Sequence, residues 1–313
     1  MTLLVTGCAG FIGSNFVHTW LGSSDEQVIN LDKLTYAGNL ANLASLKDDP
    51  RHVFVQGDIG DTSLVPQLLV KYKPRAVLNF AAESHVDRSI HGPADFIQTN
   101  IVGTVSLLEI LKFHKSLRKF VYASSSCVYG TATQMNEDTF IYPSETPYSI
   151  NKYTAELYTQ YYAHLFHVPT VSIRIFNTYG PRMRLDDGRV LPAFIGQALR
   201  GEDLTAFGDG SQTRSFCYVS DLVEGIYKLL MSDYAQPVNV GNPDEITINQ
   251  FGEEILKLTG AKSKLIYKPL PIDDPKQRRP DITKAKTILG WEPKVNRAEG
   301  LKLTLSYFQS LIN

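Results

Sequence analysis

The run Leu3-Leu4-Val5-Thr6-Gly7-Cys8-Ala9-Gly10-Phe11-Ile12-Gly13 decides the fold. An apolar segment that suits a strand leads straight into three glycines spaced G-x-x-G-x-x-G, and a helical pattern of apolar residues follows to residue 21. A strand that turns on glycine into a helix presents free backbone N–H groups and the positive end of the helix dipole at one point. With no side chains in the way, a pyrophosphate can approach that point closely. The spacing departs by one residue from the G-x-G-x-x-G dinucleotide fingerprint, so taken alone the loop also fits an ordinary strand-to-helix turn.

Outward from this loop, short apolar runs at 28–31, 53–56, 76–80, 120–124 and 171–175 alternate with helix-length segments at 63–71, 95–113 and 148–166. In the longer segments apolar residues recur at intervals of three and four, the period of a helix with one buried face. Strands apolar on both faces and alternating with helices predict an α/β fold, a doubly wound parallel sheet of Rossmann type. Past residue 178 glycine, proline and aspartate cluster and the regularity weakens. The organisation expected is a dinucleotide-binding domain over 1–177 and a smaller α/β substrate-binding lobe over 178–313, with some segments returning to the first domain and a shared cleft.

Composition narrows the function. Of 313 residues, 43% are hydrophobic and 20% charged, enough to bury a large core and too few charges for a disordered chain. Lys+Arg 31 against Asp+Glu 32 leaves a net charge of -1, so no overall field draws the chain to nucleic acid or to an anionic membrane. Cys8, Cys127 and Cys217 stand far apart without C-x-x-C spacing, which predicts reduced thiols and no metal site. The N-terminus turns into glycine too soon for a signal peptide, and no apolar run approaches the roughly 18 residues of a membrane helix. A cytoplasmic protein is expected.

The second strand ends at Asp32, where a carboxylate reaches the ribose hydroxyls of NAD and repels the 2′-phosphate of NADP. Lys33 beside it would soften that preference. Gly7, Gly10, Phe11, Ile12 and Gly13 would hold the pyrophosphate. Asp58-Ile59 ends the third strand, where Asp58 either caps a helix N-terminus or accepts from the adenine amino group.

Tyr148-Ser149-Ile150-Asn151-Lys152 opens a long helix, and a spacing of four puts phenol and ammonium on one face. A cation beside a phenol favours the phenolate, and an oxidised nicotinamide adds a second positive charge, so the Tyr148 pKa is expected to fall toward neutrality. Such a tyrosine removes a proton from a sugar hydroxyl while the carbon beneath it is oxidised by NAD. Ser124-Ser125-Ser126 ends the fifth strand, at the carboxyl edge where doubly wound sheets bind ligands, and one of these hydroxyls is expected to bond the same sugar oxygen. Strand-end hydroxyls also cap turns, a role that suits Ser124. Cys127 reads as a small packing residue.

The glycine loop, the Tyr148/Lys152 pair and Asn177-Thr178-Tyr179-Gly180-Pro181-Arg182 together resemble the extended short-chain dehydrogenases/reductases that act on nucleotide sugars. Different stretches resemble different branches. Asp32-Lys33-Leu34-Thr35-Tyr36-Ala37-Gly38-Asn39-Leu40 and Ala81-Ala82-Glu83-Ser84-His85-Val86-Asp87-Arg88-Ser89 resemble the dTDP-glucose 4,6-dehydratases. Ser124-Ser125-Ser126-Cys127-Val128-Tyr129-Gly130 and Pro147-Tyr148-Ser149-Ile150-Asn151-Lys152 resemble the 4-epimerases. Residues 176–184, Asp187-Gly188-Arg189-Val190, residues 208–214 and Asp273-Asp274-Pro275-Lys276-Gln277-Arg278 resemble the UDP-glucuronate decarboxylases.

The resemblance implies that Ser125 completes the catalytic set with Tyr148 and Lys152, and that Ile59 and Ala81 join the NAD site. It implies that Ser84, His85, Arg88 and Ser126 face a UDP- or dTDP-sugar, and that Asn177, Arg214 and Arg278 hold its diphosphate. His85 also reads as a core histidine, and the two arginines as surface ion pairs. Arg184 would pair with a carboxylate at C6 of the sugar or stand solvated in its loop. The helices beginning near Asp95 and Tyr148 resemble a pair that forms a homodimer interface, although both also serve to cover the sheet.

One departure bears on the chemistry. The dehydratases place Thr-Asp-Glu where this chain has Ser125, Ser126 and Cys127, and the decarboxylases carry Glu at the position of Cys127. The leading expectation is decarboxylation of UDP-glucuronate to UDP-xylose through a 4-keto intermediate. The alternatives are a UDP-sugar 4-epimerase, a weak dTDP-glucose 4,6-dehydratase, and an NAD-binding protein without turnover.

Overall fold

Leu3 and Val5 point to one side of the first strand and Leu4 to the other, and each side meets its own hydrophobic core. The computed structural model describes residues 1–132, 134–139, 141, 146–269 and 277–312. Asp273, Asp274, Pro275 and Lys276 of the decarboxylase-like run lie outside the described residues.

The six expected strands form as β1 (Thr2–Thr6), β2 (Gln27–Asp32), β3 (His52–Gln56), β4 (Ala76–Asn79), β5 (Lys119–Ser125) and β6 (Thr170–Ile175). With Val238–Val240 they make a seven-stranded sheet in the order Val238–Val240, β6, β5, β4, β1, β2, β3, parallel throughout. The chain reverses its direction of winding between β1 and β4, so a crevice opens at the carboxyl ends of these strands. On the Leu3 and Val5 side lie the helices Phe11–Ser23 and Val219–Met231. On the Leu4 side lie Leu64–Tyr72, Thr104–Leu111 and Pro147–Phe166.

The helix expected over 95–113 is not one regular helix. It runs as Pro93–Phe96, a π-helical turn at Ile97–Gly103, and Thr104–Leu111. The wider turn suits two contacts. Asn100 accepts from the Glu83 N–H and donates to the Glu83 carbonyl, both at 2.9 Å. A Cβ at Gly103 would lie 2.9 Å from Ile59 Cγ1, so the chains meet there at backbone distance.

Beyond residue 178, two-stranded pieces pair Thr178–Tyr179 with Cys217–Tyr218, Thr213–Ser215 with Glu245–Thr247, and Leu204–Phe207 with Leu265–Lys268. Phe216 stacks on Phe251 at 4.3 Å between ring centroids, which joins the second of these to the helix Ile248–Thr259. Among the described residues no helix is long and apolar enough to cross a membrane.

Candidate active site

A cleft of about 560 Å³ opens at the carboxyl edge of the sheet, between the glycine loop and the loops that follow β4 and β6. At its cofactor end Gly7 adopts φ +66, and a Cβ there would lie 2.5 Å from the Ala81 nitrogen. A Cβ at Gly13 would lie 2.3 Å from the Gly7 carbonyl oxygen. The helix Phe11–Ser23 starts from Gly10 with no side-chain cap, which leaves the first-turn N–H groups of Phe11, Ile12 and Gly13 without helical acceptors. That is the chemistry a pyrophosphate requires.

Asp32 is buried at the end of β2 and accepts from the Ala9 N–H at 2.9 Å and the Leu34 N–H at 2.8 Å. Each oxygen keeps lone-pair capacity for a ribose hydroxyl. Lys33, expected to soften the selection against a 2′-phosphate, instead pairs with Asp58 at 2.8 Å. The Asp58 carboxylate also accepts from the Gly60 N–H at 2.8 Å, so it caps a local turn. The helix N-terminus considered for Asp58 is served by Asp61, which accepts from the Leu64 N–H at 2.9 Å. Ile59 and Ala81 both line the cleft, and the Ala81 N–H donates to Thr6 Oγ1 at 3.3 Å.

At the other end, Thr146 caps the helix Pro147–Phe166, with proline in the first turn where its missing N–H costs nothing. The Tyr148 N–H donates to the buried Ser89 hydroxyl at 3.1 Å, and Phe96 meets the Tyr148 ring edge-on at 6.4 Å. The Ser125 hydroxyl lies close enough to the phenol to lower its pKa, and its oxygen accepts from the Cys127 N–H at 3.2 Å. Lys152 Nζ donates to the Ala123 carbonyl at 2.6 Å and lies 4.9 Å from the centre of the Tyr122 ring. The structure therefore brings Ser125, Tyr148 and Lys152 together.

Without the charge of a bound nicotinamide, the ionisation of this pair is governed by burial. Burial pushes the Tyr148 phenol up to about 12, Cys127 adds to the rise, and the Ser125 hydroxyl and the charges of Arg189 and Arg278 only partly oppose it. Burial likewise draws the Lys152 ammonium down to about 8, against Cys127 and Glu156, which hold it up. Sequence spacing reveals the charged partner but not the desolvation of both groups.

Ser124 turns from the cleft chemistry and donates to Glu156 at 2.5 Å. Ser126 is buried at the cleft wall. On the substrate side, Ser84, His85, Arg88, Asn177, Arg214 and Arg278 all line the cleft. His85 accepts from the Arg88 N–H at 3.4 Å as the cap of the short helix Val86–His91, and the Arg88 guanidinium lies 4.1 Å from the centre of the Tyr36 ring. The Asn177 carbonyl accepts from the Cys217 N–H at 2.8 Å. Arg214 is buried and donates to the Thr213 carbonyl at 2.7 Å. Arg278 Nη1 lies 3.5 Å from Cys127 Sγ.

Arg184 also borders the cleft, but its guanidinium is held by Asp186 through contacts of 2.9 and 2.6 Å. Arg189 was given no role from the sequence, although it lies in the quoted run Asp187-Gly188-Arg189-Val190. Its Nη2 donates to the Ser84 carbonyl at 3.3 Å, its Nε lies 3.3 Å from Asp187, and its charge is felt at Tyr148. Glu83 was also missed. It lines the cleft, nearly buried, and burial raises its pKa.

Residues 4–304 match the GDP-mannose 4,6 dehydratase family. The chain is a member of that family of extended short-chain dehydrogenases/reductases. This dehydrogenase/reductase is 39% identical over 335 residues to a dTDP-glucose 4,6-dehydratase of Xanthomonas campestris pv. campestris, covering 98% of this chain and 93% of that protein. It is 37% identical over 320 residues to UDP-glucuronic acid decarboxylase 1 of Arabidopsis thaliana, covering 100% of this chain and 71% of that protein. Its fold matches a UDP-glucuronic acid 4-epimerase from Bacillus cereus, solved with UDP-glucuronic acid and NAD, with a TM-score of 0.93 and 32% identity. That match covers 99% of this dehydrogenase/reductase and 100% of the other chain. Dehydration, decarboxylation and epimerisation are thus all represented among its relatives.

Proposed function

We propose that this dehydrogenase/reductase binds NAD and oxidises C4 of a nucleotide hexuronate, UDP-glucuronate, whose 4-keto acid then loses carbon dioxide to give UDP-xylose. The observation that carries this reading is the placement of Arg189. An arginine whose charge acts on Tyr148 stands within range of a carboxylate two bonds from C4. Arg184, the arginine first considered for that carboxylate, is held by Asp186 at 2.9 and 2.6 Å, a tighter engagement than the 3.3 Å contact of Arg189 with Asp187.

Gly7, Gly10, Phe11, Ile12, Gly13, Asp32, Asp58, Ile59 and Ala81 hold the dinucleotide, and the Lys33–Asp58 pair favours NAD over NADP by keeping the lysine from a 2′-phosphate. Asn177, Arg214 and Arg278 receive the diphosphate, while Ser84, His85, Arg88 and Ser126 face the sugar. Bound NAD supplies a two-electron acceptor at C4. Tyr148 takes the O4 proton, and the Ser125 hydroxyl and the charges of Arg189 and Arg278 stabilise the phenolate against burial. Once C4 is a ketone, it accepts the electron pair as the C5–C6 bond breaks, so the carboxylate leaves without help from an acid at Cys127. C5 then takes a proton, and C4 would be reduced by the same two electrons it gave to NAD in the first step, with Tyr148 returning its proton to O4. Dehydration is different, because a hydroxyl at C6 leaves only when protonated, and Ser125, Ser126 and Cys127 offer no carboxylic acid.

The same trio without an acid at Cys127 also suits 4-epimerisation of UDP-glucuronate, the second reading. For the assembly we favour a homodimer. Ile150, Leu157, Tyr161 and Leu165 of the helix Pro147–Phe166, with Ile97 and Val102 of the adjoining turn, leave an apolar face in solvent.

The test is to incubate the protein and NAD with UDP-glucuronate, UDP-glucose and dTDP-glucose and to weigh the products. Loss of carbon dioxide from UDP-glucuronate is expected. A product of unchanged mass indicates the epimerase, loss of water from dTDP-glucose the dehydratase, and no product an NAD-binding protein without turnover. Tyr148→Phe should abolish turnover and leave NAD binding intact, and undiminished turnover would remove Tyr148 from the mechanism.

A further inference from the structure

Tyr148, Lys152 and Glu156 follow one another at intervals of four along the helix Pro147–Phe166 and share one face. Each meets the end of β5. Tyr148 lies beside Ser125, Lys152 donates to the Ala123 carbonyl at 2.6 Å, and Glu156 accepts from Ser124 at 2.5 Å. Glu156 is 0% exposed and also accepts from Arg174 Nε at 3.1 Å and Nη2 at 2.6 Å. Arg174, 4% exposed, stands on β6 in register with Ser124. Its Nη1 donates to the Tyr129 hydroxyl at 2.8 Å, and Tyr129 donates to Asn239 at 2.8 Å. One carboxylate thus ties the helix to β5, β6, the turn Ser126–Tyr129 that carries Cys127, and the strand Val238–Val240.

A buried ion pair is a poor source of stability, since apolar side chains of similar volume serve a core as well or better. Something other than stability must account for it. We propose that Glu156 is a positioning residue for the Tyr148–Lys152 pair: anchored by Arg174 and Ser124, it fixes the rotation of the helix over β5 and places a buried negative charge on the Lys152 side. The inference rests on the reading of Tyr148 and Lys152 given above. The ionisable groups around Lys152 are Tyr122 from β5, Cys127 from the turn Ser126–Tyr129, and Tyr148 and Glu156 from its own helix, with Arg174 of β6 behind Glu156. Burial lowers the Lys152 pKa, and Glu156 and Cys127 are the groups that counter it.

The experiment compares wild type with Glu156→Gln and with the double variant Glu156→Leu/Arg174→Met, which removes both members of the ion pair so that neither is left buried alone, and circular dichroism establishes that each variant is folded. Lys152 is titrated directly by the pH dependence of its carbamylation with cyanate, read by peptide mass, and kcat and KM are measured on UDP-glucuronate. The expected result is a carbamylation midpoint about one pH unit lower in both variants, with kcat down about tenfold or more and KM little changed. Glu156→Asp should restore part of both. A folded double variant with an unmoved midpoint and wild-type kcat would overturn the proposal and leave the ion pair a structural link only. Carbamylation needs no turnover, so an inactive wild type would count against the proposed function while the midpoint still judges Glu156.

Discussion

Lys152→Met should make the protein less dependent on pH and, near neutrality, more stable. Lys152 is 4% exposed and its pKa is drawn from 10.5 down to about 8 by burial. The folded state therefore holds that proton less tightly than the unfolded chain does. Below pH 8 the lysine is charged in both states and the folded protein carries the whole cost of burying the charge. As pH rises from 8 to 10.5 the folded lysine becomes neutral first, and the cost disappears. The gap between 10.5 and about 8, at about 1.36 kcal/mol per pKa unit, makes that cost about 3 kcal/mol. Methionine fills the same space without charge, but it orphans the Ala123 carbonyl, which offsets about 1–3 kcal/mol at every pH. The net gain at pH 7 is thus small, and the informative quantity is the slope. Urea unfolding of both proteins at pH 7, 8, 9 and 10 should show the advantage of the variant shrinking by about 2 kcal/mol across the series. Stability curves that run parallel would refute the buried charge, whatever the offset between them.

Gly13→Ala forces a Cβ to within 2.3 Å of the Gly7 carbonyl, a backbone atom that cannot step aside. It should cost about 1–3 kcal/mol and abolish the rise in melting temperature that NAD produces, which thermal scans with and without NAD will show. Asp32→Asn removes the charge that opposes a 2′-phosphate and keeps an acceptor for one of the Ala9 and Leu34 N–H groups, while its NH2 faces the other, so some stability is lost as well. Titration calorimetry should find the preference for NAD over NADP narrowed. On the proposed reading, Arg189→Met removes a charge-assisted partner for the sugar carboxylate, worth about 1.5–3 kcal/mol. KM for UDP-glucuronate should rise roughly tenfold or more while KM for UDP-glucose stays put, and the pH limb that reports Tyr148 should move upward, because a cation that favours its phenolate is gone.

The sheet was legible because most of its strands are buried on both sides and carry short apolar runs, Leu3-Leu4-Val5 in β1, Ala76-Val77-Leu78 in β4 and Phe120-Val121-Tyr122 in β5, and because Gly7 and Gly13 stand where a Cβ would meet backbone. Val238–Val240 escaped notice because three residues between Pro237 and Gly241 carry no period. The π-helical turn at Ile97–Gly103 was invisible for another reason: its contacts reach to Glu83 and Ile59, which are distant in sequence. In the cleft, motif spacing pointed to Tyr148 and Lys152 and the family resemblance to Ser125, and all three line it. The fall expected for Tyr148 counts the charge of a bound nicotinamide; in the chain itself burial outweighs the nearby cations, and burial is a property of the packed core and not of a four-residue interval. Arg184 and Arg189 look alike in sequence and each meets a neighbouring aspartate, Asp186 at 2.6 Å and Asp187 at 3.3 Å, but Arg189 also reaches across to Ser84.

The parts of the site differ in how firmly they are held. Tyr148, Lys152 and Ser125 stand on a helix and a strand end joined by the Glu156–Arg174 ion pair, and residues so anchored keep their geometry whatever sugar arrives. Arg189, Ser84, His85 and Arg278 stand on loops or at the edge of a short helix, where single substitutions change charge without disturbing the core. On the proposed reading, oxidation at C4 therefore belongs to the scaffold, and the fate of the 4-keto sugar belongs to the loops and to Ser126 and Cys127. Restoring a carboxylic acid by Cys127→Glu tests that division. The new acid would stand beside Arg278, 3.5 Å from the present sulfur, and that charge would hold it ionised and blunt it as an acid. Dehydration of dTDP-glucose should accordingly stay weak in Cys127→Glu and appear in Cys127→Glu/Arg278→Leu, if the latter retains the sugar. Strong dehydration in the single variant would show that Arg278 does not control the acid position.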